Sequence, residues 1–482
     1  MSTKRKNEEV EDSNNKERKL EESKENDEEV DKPESPKPSD NGEGSRDGFG
    51  TGVDQADKNK LKVKGSEHNG TLLICGSTNW DLIGRRELPK NCKAASGRNL
   101  WVPHRFGPLS GVKIRFVATG NTCAHNIAVT EDGRLLSWGR NEKGQLGVGD
   151  CLRRDTPEEI STLKDEIVVA AACGRNHTLL LTDQGVVYGC GDNKMGQVGV
   201  GSQHPAITTP TQLAYKGPPI VKVDCGGEFG MILDCKGSLY SFGCPEYGQL
   251  GHNTDGKYFA TSNKLAFACV TSPKRVLFFV EKARDGHVVP VEGVEVIDVA
   301  CGTNHTVIVD AQKRVFSWGF GGYGRLGHAE PKDEMIPRLI KVFDAQSRGV
   351  RSVFAGNSYS MALTELGTLY LWGQTKRTGE ANMYPKPVQD LAGWQIRSVG
   401  CSHTSIVVAA DESVIAWGPS PTYGEMGFGE IRKSSTTPIE VKSLEGVHVL
   451  QVACGMGHSV MIAREESEQE SIRIQKLPVY NV

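Results

Sequence analysis

One pattern recurs along most of this chain and constrains its fold more than any other feature. The clearest copy, CGTNHTVIVDAQKRVFSWGFGGYGRLGH, runs from Cys301 to His328, and related segments begin at Thr119, Cys173 and Cys225. A self-similar period of about fifty residues indicates a stacked or circular array of repeats. Glycine, at 56 of 482 residues, exceeds its usual share of about 7%, which favours an all-β protein with many tight turns.

Each repeat contains an anchor residue that follows a short apolar strand. There are seven anchors: Gly120, Gly174, Gly226, Gly302, Gly356, Ser402 and Gly455. After each anchor the pattern predicts a strand, a turn, a strand that ends in an aromatic-glycine pair, and an outer strand that often carries proline. We therefore predict that each repeat forms one blade of antiparallel strands.

The two ends of the repeat region each hold part of a repeat. Residues 70–87 match the strand-plus-GxLG part, and Val452–Ala463 matches the opposite part. A ring of blades closes in this way, with the first strand completing the last blade. The predicted fold class is an all-β, seven-bladed β-propeller over residues 70–464. A polar C-terminal tail follows at residues 465–482, and we expect it to fray, with a short helix packed against the ring as the alternative.

Residues 1–68 form a charged N-terminal tail with few aliphatic residues, a composition that predicts disorder. Two basic clusters have the spacing of a bipartite nuclear import signal, and a solvated mixed-charge tail is the alternative explanation. They comprise Lys4, Arg5, Lys6, Lys16, Arg18 and Lys19. Ser35, which precedes a proline, is a candidate phosphorylation site. The repeat region is close to neutral, which does not favour nucleic-acid binding by its whole surface.

Residues that suggest catalysis or metal binding fall on repeat positions. His125, His177, His305 and His458 share one slot in separate repeats, which predicts hydrogen bonds to the next blade rather than a common site. The 13 cysteines include no CxxC pair, and five of them occupy one repeat position, as expected of small buried residues. The GxGxxG at residues 319–324 lies in a blade loop, outside any βαβ unit. We predict no catalytic residue, no metal site and no cofactor.

The third repeat carries a long insertion, within about residues 253–295. Apolar runs flank an Asp-Gly pair there, which predicts a projecting hairpin whose tip is Lys282–His287. A tolerated surface loop is the alternative, but a charged tip on an apolar stalk suits docking to a protein. The candidate partner-binding residues are Glu281, Lys282, Ala283, Arg284, Asp285, Gly286, His287, Val288, Val289 and Pro290. Trp101–Phe106, outside the repeat pattern, is predicted to strap across the first blade.

The repeats resemble those of the regulator of chromosome condensation family over about residues 70–464. The likeness is carried by TNWDLIGR, SWGRNEKGQLG, FGCPEYGQLGHN, FSWGFGGYGRLGHAEPKDEMIPRL and AADESVIAWGPSPTYGE. It implies a seven-bladed propeller and a mitotic and cytoskeletal regulator that engages Rac- and Ral-type small GTPases, microtubules and centromeric chromatin. The founding member of the family exchanges nucleotide on the GTPase Ran through a protruding β-wedge. Its contact residues do not transfer, because this insertion has its own sequence.

Two hypotheses follow for function. The first is a non-covalent regulator of small GTPases, acting by nucleotide exchange or by sequestering the nucleotide-free form. The second is a chromatin or microtubule scaffold without exchange activity. The resemblance and the reducing compartment indicated by the cysteines imply a location in the nucleus, including nucleolus, centromeres and spindle, and in the cytoskeleton and cytoplasm. We expect no membrane insertion, because no apolar run reaches about 18 residues, and no small-molecule substrate.

Overall fold

The computed structural model describes residues 62–85, 97–283, 285–375, 380–419 and 423–482. The chain divides into the unit Met1–Gly52, which lies outside the described residues, and the unit Val53–Val482. The second unit is an all-β propeller, as the repeats predict. Among the described residues, no helix has the length and apolar character needed to cross a membrane.

Successive repeats fold into successive groups of strands. The first strands and the first repeat comprise β1 (Gly70–Ser77), β2 (Asn99–Phe106), β3 (Ile114–Ala118), β4 (His125–Thr130), β5 (Leu135–Gly139) and β6 (Arg154–Glu159). The second repeat comprises β7 (Val168–Cys173), β8 (His177–Thr182), β9 (Val187–Asp192) and β10 (Ala206–Gln212). The third repeat and the start of its insertion comprise β11 (Ile220–Cys225), β12 (Phe229–Asp234), β13 (Leu239–Gly243), β14 (Lys257–Thr261), β15 (Lys264–Phe267) and β16 (Val270–Arg275).

The remaining repeats continue the same order. The end of the insertion and the fourth repeat comprise β17 (Val280–Lys282), β18 (Val288–Pro290), β19 (Val296–Cys301), β20 (His305–Asp310), β21 (Val315–Gly319) and β22 (Glu334–Leu339). The fifth and sixth comprise β23 (Val350–Ala355), β24 (Tyr359–Thr364), β25 (Leu369–Gly373), β26 (Asn382–Pro387), β27 (Ile396–Cys401), β28 (Ile406–Ala410), β29 (Ser413–Gly418) and β30 (Ser435–Glu440). The chain ends with β31 (Val449–Cys454), β32 (His458–Arg464), α1 (Glu468–Gln475) and β33 (Val479–Tyr480).

Strands within a repeat pair in antiparallel order. Four repeats form separate four-stranded sheets, and the fourth repeat forms a six-stranded sheet with β17 and β18. A nine-stranded sheet holds β31, β32, β1 and β3–β6 along its path, with β2 and β33 attached beside β1. The second strand of most repeats, such as β8 and β20, is buried at every residue. The middle residues of these strands are apolar because sheets pack against both of their faces.

The glycine of the aromatic-glycine pair is required by its backbone geometry. Gly319 has a φ of 100°. A Cβ at this position would lie 2.6 Å from the carbonyl oxygen of Asn304. Both the positive φ and the close backbone approach exclude other residues, which explains why the pair recurs. The tryptophans of these pairs, including Trp138, Trp318 and Trp372, are fully buried.

The recurrent histidines join neighbouring repeats. His125 Nε2 lies 2.8 Å from Thr178 Oγ1, and His305 Nε2 lies 2.9 Å from Ser360 Oγ. His458 Nε2 lies 2.7 Å from Asn126 Oδ1, across the junction of the last and first repeats. Each partner immediately follows the equivalent slot in the next repeat. The predicted hydrogen bonds to the next blade are confirmed for these three histidines.

The N-terminal strand pairs with the C-terminal repeat. β1 is antiparallel to β32 over seven residue pairs, from Gly70 with Arg464 to Gly76 with His458. The segment predicted to strap across the first blade is instead β2, which pairs antiparallel with β1. β2 is therefore a regular strand of the sheet that contains β1, so the strap prediction is wrong. The end of the predicted tail also has structure, because Val63 N donates to Asp183 O at 2.8 Å.

The C-terminal segment is ordered by specific contacts. The expected fraying does not occur, and the alternative, a short helix packed against the ring, is present as α1. A capping box between Ser467 and Glu470 starts α1, which satisfies backbone donors at the helix terminus. Beyond the helix, Tyr480 is buried, stacks on Phe106 and donates its hydroxyl to Thr78 Oγ1 at 2.9 Å. A sequence dominated by polar residues hides these few apolar anchors.

The first strands of the repeats surround a central cavity of about 600 Å³. Contacts follow a cycle through β3, β7, β11, β19, β23, β27 and β31, and β31 contacts β3. Asn121 spans this cavity, donating to the carbonyl oxygens of Cys301 and Ala355 at 3.2 Å each. Lys222 forms an ion pair with Asp298 inside it.

Candidate docking surface on the third-repeat insertion

The insertion contains two hairpins. After β13 the chain forms the β14–β15 hairpin, returns as β16 to pair with β13, and then forms the β17–β18 hairpin. β16 therefore takes the place of the outer strand in the third repeat. The sequence analysis predicted the second hairpin and missed the first.

The first hairpin, Lys257–Phe267, extends away from the blade sheets. Its register pairs Lys257 with Phe267 and Phe259 with Leu265. Within the described part of the chain, its two strands pair only with each other. All five residues of β14 are exposed. The run KYFAT, which contains the β-forming residues tyrosine, phenylalanine and threonine, a polar Ser-Asn pair and the run KLAF were the sequence signal for this hairpin.

Large apolar side chains on the first hairpin face solvent. Phe259 is 73% exposed, and Tyr258 and Leu265 are about half exposed. Exposed aromatic residues are enriched in protein–protein interfaces, where they bury large areas at low entropic cost. Lys257 and Lys264 flank these residues, so the hairpin combines apolar and basic character.

The second hairpin lies where the sequence predicts it. β17 pairs with β18 from Val280 with Pro290 to Lys282 with Val288. The turn is closed by Ala283 N donating to His287 O at 2.8 Å, and Gly286 has a φ of 90°. The five candidate residues after Asp285, at positions 286–290, are exposed. Arg284 lies outside the described residues, as do the nuclear-import candidates and Ser35.

The second hairpin does not project freely, which corrects the prediction. Val280 of β17 pairs in parallel with Arg338 of β22, so the hairpin extends the sheet of the fourth repeat. Glu281 accepts from Lys341 Nζ at 2.7 Å. The base of the hairpin is therefore attached to the neighbouring repeat, where the charge of Glu281 is neutralised.

A network of charges fixes the base of the second hairpin. Lys282 Nζ lies 3.9 Å from Glu330 and 3.8 Å from Glu334, and Arg338 donates to both carboxylates at 2.7 and 2.6 Å. The hydrogen bond from Arg338, followed by one from Lys332, lowers the pKa of Glu330 to about 2. These side chains border a cleft of about 590 Å³ between the hairpin and the fourth repeat. Its mixed charge suits polar groups of a protein partner.

The segment between β16 and β17 alternates between core and surface. Val276 and Phe279 are buried, and Phe279 meets Phe316 edge-on at 5.4 Å between ring centroids. Leu277 and Phe278 are 63% and 65% exposed beside a groove of about 510 Å³. The buried pair holds the exposed pair in place, so this apolar surface is rigidly positioned.

The central cavity is a weaker candidate for a binding site. Asp224 accepts backbone N–H groups from Cys225 at 2.9 Å and from Cys301 at 2.6 Å. Burial raises its pKa to about 6, against the lowering effect of Lys222. Lys222 is in turn paired with Asp298, whose second oxygen accepts from Val353 N at 3.0 Å. These charged groups bind one another and the strands, and so they stabilise the ring.

The chain matches the protein family described as regulator of chromosome condensation (RCC1) repeat. The matched ranges are residues 132–181, 184–233, 236–309, 313–363 and 411–462. The chain is similar to Protein RCC2 of Homo sapiens, with 57% identity over 427 residues, covering 88% of this chain and 82% of the relative. A Danio rerio homolog of that protein is 56% identical over 427 residues, covering 88% and 86%.

Solved structures share the fold at lower identity. Prp20p from Saccharomyces cerevisiae, described with its binding properties to Gsp1p and histones, has a TM-score of 0.65 at 21% identity. The match covers 86% of this chain and 95% of that one. Human WBSCR16 has the same TM-score and identity, covering 83% and 100%. At this identity the likeness concerns the fold alone.

Proposed function

Because the chain belongs to the family of regulator of chromosome condensation repeat proteins, we propose that it is a non-covalent regulator of small GTPases. The observation that carries this proposal is the third-repeat insertion. It presents a free apolar hairpin, Lys257–Phe267, and a second apolar surface at Leu277 and Phe278. A ring of repeats needs neither feature for its own packing. Both suit docking to a folded protein partner.

The ring is the rigid support for this surface. We propose that it has seven blades, with β1 and β2 completing the blade of β31 and β32. The pairing of β1 with β32 and the closed cycle of contacts among the first strands support this count. A closed ring leaves no open sheet edge to pair with other chains.

The proposed mechanism is preferential binding of the nucleotide-free GTPase. The apolar hairpin and the groove beside Phe278 bind the partner, and the charged cleft of the second hairpin contacts its polar groups. A protein that binds the empty state preferentially weakens nucleotide affinity by the same factor. The outcome is nucleotide exchange when GTP is available to enter, or sequestration when the complex persists.

Rac- and Ral-type GTPases are the proposed partners, from the family resemblance. The described binding of Prp20p to Gsp1p, a small GTPase, supports the partner class. Microtubules and centromeric chromatin are proposed as further partners. The proposed locations are the nucleus, the centromeres and spindle in mitosis, and the cytoskeleton and cytoplasm. The import candidates Lys4, Arg5, Lys6, Lys16, Arg18 and Lys19 and the phosphorylation candidate Ser35 belong to this proposal.

Substitution of the free hairpin tests the docking surface. The double variant Tyr258→Ser with Phe259→Ser should weaken binding of a nucleotide-free Rac- or Ral-type GTPase by about tenfold or more, as expected for an interface hot spot. Its unfolding midpoint should stay unchanged, because both side chains are exposed. Leu366→Ser, at a residue 79% exposed in the fifth repeat, is the matched control and should bind normally. Equal binding by both variants would reject this hairpin as the docking site.

A scaffold that binds chromatin or microtubules is the second candidate function. The basic clusters of the N-terminal tail favour it, together with the described binding of Prp20p to histones. Deleting residues 1–60, which spares the contact of Val63, should abolish such association while GTPase binding persists. The lost association should also weaken steeply with salt in the full chain. Retention of histone and tubulin binding after the deletion would contradict a role for the tail.

A further inference from the structure

Two thiols and an imidazole from different repeats meet in the core of the ring. Cys123 and His125 belong to the first repeat, and Cys173 ends the first strand of the second. One potential ligand atom from each residue lies within 4.8 Å of the others, and all three residues are buried. The absence of a CxxC pair and the repeat position of Cys173 predicted no metal site from the sequence.

The first repeat differs from its sisters at this point. In the second, fourth and last repeats, the backbone N–H of the anchor glycine donates to the carbonyl oxygen of the recurrent histidine. The first repeat has two more residues in this loop. There the N–H of Gly120 donates instead to Cys123 Sγ at 2.9 Å. The longer loop thus places a second sulfur beside Cys173.

The surroundings of Cys123 suit a thiolate. Thr119 Oγ1 lies 2.9 Å from its sulfur, at the same distance as the Gly120 donor. Hydrogen bonds from hydroxyl and backbone N–H groups stabilise sulfur ligands and orient them toward a metal.

The imidazole of His125 has one nitrogen without a partner. Its Nε2 is engaged by Thr178 Oγ1, whereas Nδ1 is buried without a hydrogen-bond partner among the described residues. The recurrent histidines His177, His305 and His458 share this feature, and only His125 has two cysteine sulfurs nearby among the described residues. A buried polar atom without a partner is costly, and metal coordination satisfies it. The hydrogen bond at Nε2 orients the ring, as neighbouring groups do for metal-bound histidines.

We propose that Cys123, His125 and Cys173 bind a structural zinc ion that joins the first and second repeats. Two thiolates and one neutral imidazole form a common donor set for Zn²⁺, and soft sulfur ligands favour zinc over magnesium or calcium. Binding releases the two thiol protons to solvent, so that the charges of the two thiolates and the Zn²⁺ cancel. This balance lets the ion lie in a dry interior. Because the site is closed, the ion enters as the chain folds.

The seam between the second and third repeats, where their sheets meet, provides an internal comparison. His177 is followed across its seam by Cys225, in the same arrangement as His125 and Cys173. The second repeat lacks the longer loop and has no cysteine equivalent to Cys123. Within the described residues, three histidine, cysteine or carboxylate ligand atoms cluster only where the first and second repeats meet. Cys225 is therefore the matched control for Cys173.

Metal analysis of the purified full chain tests the proposal. Produced without a polyhistidine tag, the chain should contain about one zinc per molecule by mass spectrometry. Cys123→Ser and Cys173→Ser should lose this ion, while Cys225→Ser should keep it. X-ray absorption at the zinc edge should show two sulfur ligands. The zinc content of the unsubstituted chain tests the proposal by itself, so poor folding of a variant does not obscure the result.

Three outcomes would overturn the proposal. One is a chain that remains free of zinc after refolding with zinc sulfate. Another is zinc that persists in both Cys123→Ser and Cys173→Ser, which would place it on other residues such as the exposed Cys151 and Cys235. The third is copper in place of zinc, or a disulfide between the two sulfurs, detected as the loss of two titratable thiols.

Discussion

His125, His305 and His458 occupy the same position in their repeats, and each forms a hydrogen bond across the seam to the next repeat. The recurrence of this position in the sequence is enough to predict these three bonds. His177 is an exception that depends on one residue of the next repeat. In the third repeat, the position that supplies the hydrogen-bond partner in other repeats is occupied by Gly230, which has no side chain. A Cβ at Gly230 would lie 2.6 Å from the ring of Phe242, and this packing is not visible in the sequence.

This difference predicts unequal costs for the same substitution. Phenylalanine already fills the slot in the third repeat as Phe229, so it should fit sterically in others. His305→Phe should lower the free energy of unfolding by about 1–3 kcal/mol, because buried Ser360 loses a partner. His177→Phe should change it by less than about 0.5 kcal/mol, since no side-chain hydrogen bond is lost. Urea unfolding of both variants measures the difference, and equal losses would contradict the seam role.

Glu425 is a buried carboxyl where three other repeats have glutamine. The equivalent residues Gln145, Gln197 and Gln249 each accept a backbone N–H from two residues earlier, and Glu425 accepts one from Tyr423 at 3.2 Å. Burial raises the pKa of Glu425, although hydrogen bonds oppose this effect. The folded state therefore disfavours the ionised form, and the penalty grows as pH rises above the unfolded pKa of about 4.3.

Glu425→Gln should consequently stabilise the protein at neutral pH. The amide keeps the oxygen that accepts from Tyr423 and removes the buried charge. We expect a gain on the order of 1 kcal/mol at pH 7. The gain should shrink below pH 4, where the carboxyl is protonated in both states. Thermal or urea unfolding of the variant and the unsubstituted chain across this pH range checks the prediction, and a gain independent of pH would contradict it.

At the scale of elements, the sequence predicts regular blades and fails where the pattern breaks. One insertion hairpin is predicted from its Asp-Gly turn, but its attachment to β22 depends on Lys282, Glu281 and their partners in the next repeat. Such long-range pairs leave no local periodicity. The prediction for the C-terminal segment fails for a related reason, because the order of this segment depends on the few apolar residues Leu477 and Tyr480 among polar neighbours.

Tyr480 should therefore be essential for anchoring the C-terminal segment. Tyr480→Ala removes its stacking on Phe106 and its hydrogen bond to Thr78. We expect a loss of about 3 kcal/mol in the free energy of unfolding, the usual cost of truncating a buried aromatic residue. Val482→Ala, at a residue 56% exposed, is the control and should be neutral. If both variants unfold alike, the segment contributes little to the stability of the ring.

At the scale of the whole molecule, the repeats supply a support and the departures from the repeats supply the candidate function. Cysteine, histidine, tryptophan and GxGxxG in Cys301–His328 all suggest chemistry when read alone. Because equivalent residues recur in the other repeats, these residues are explained by packing within a blade and by contacts between neighbouring repeats. The exposed apolar residues of the insertion, including Phe259 and Phe278, have no such role in the ring. Partner identity is not encoded in the fold, because one propeller supports many functions.

The most direct test measures binding of the full chain to Rac- and Ral-type GTPases in defined nucleotide states. Tagged GTPase is immobilised either nucleotide-free or loaded with a non-hydrolysable GTP analogue, and the affinity for the chain is compared. A regulator that acts on the nucleotide equilibrium should bind the nucleotide-free GTPase at least about tenfold more tightly than the loaded form. It should also accelerate nucleotide release or hold the GTPase in its nucleotide-free form. Equal affinity for the two states, or no binding to either, would contradict the proposed function.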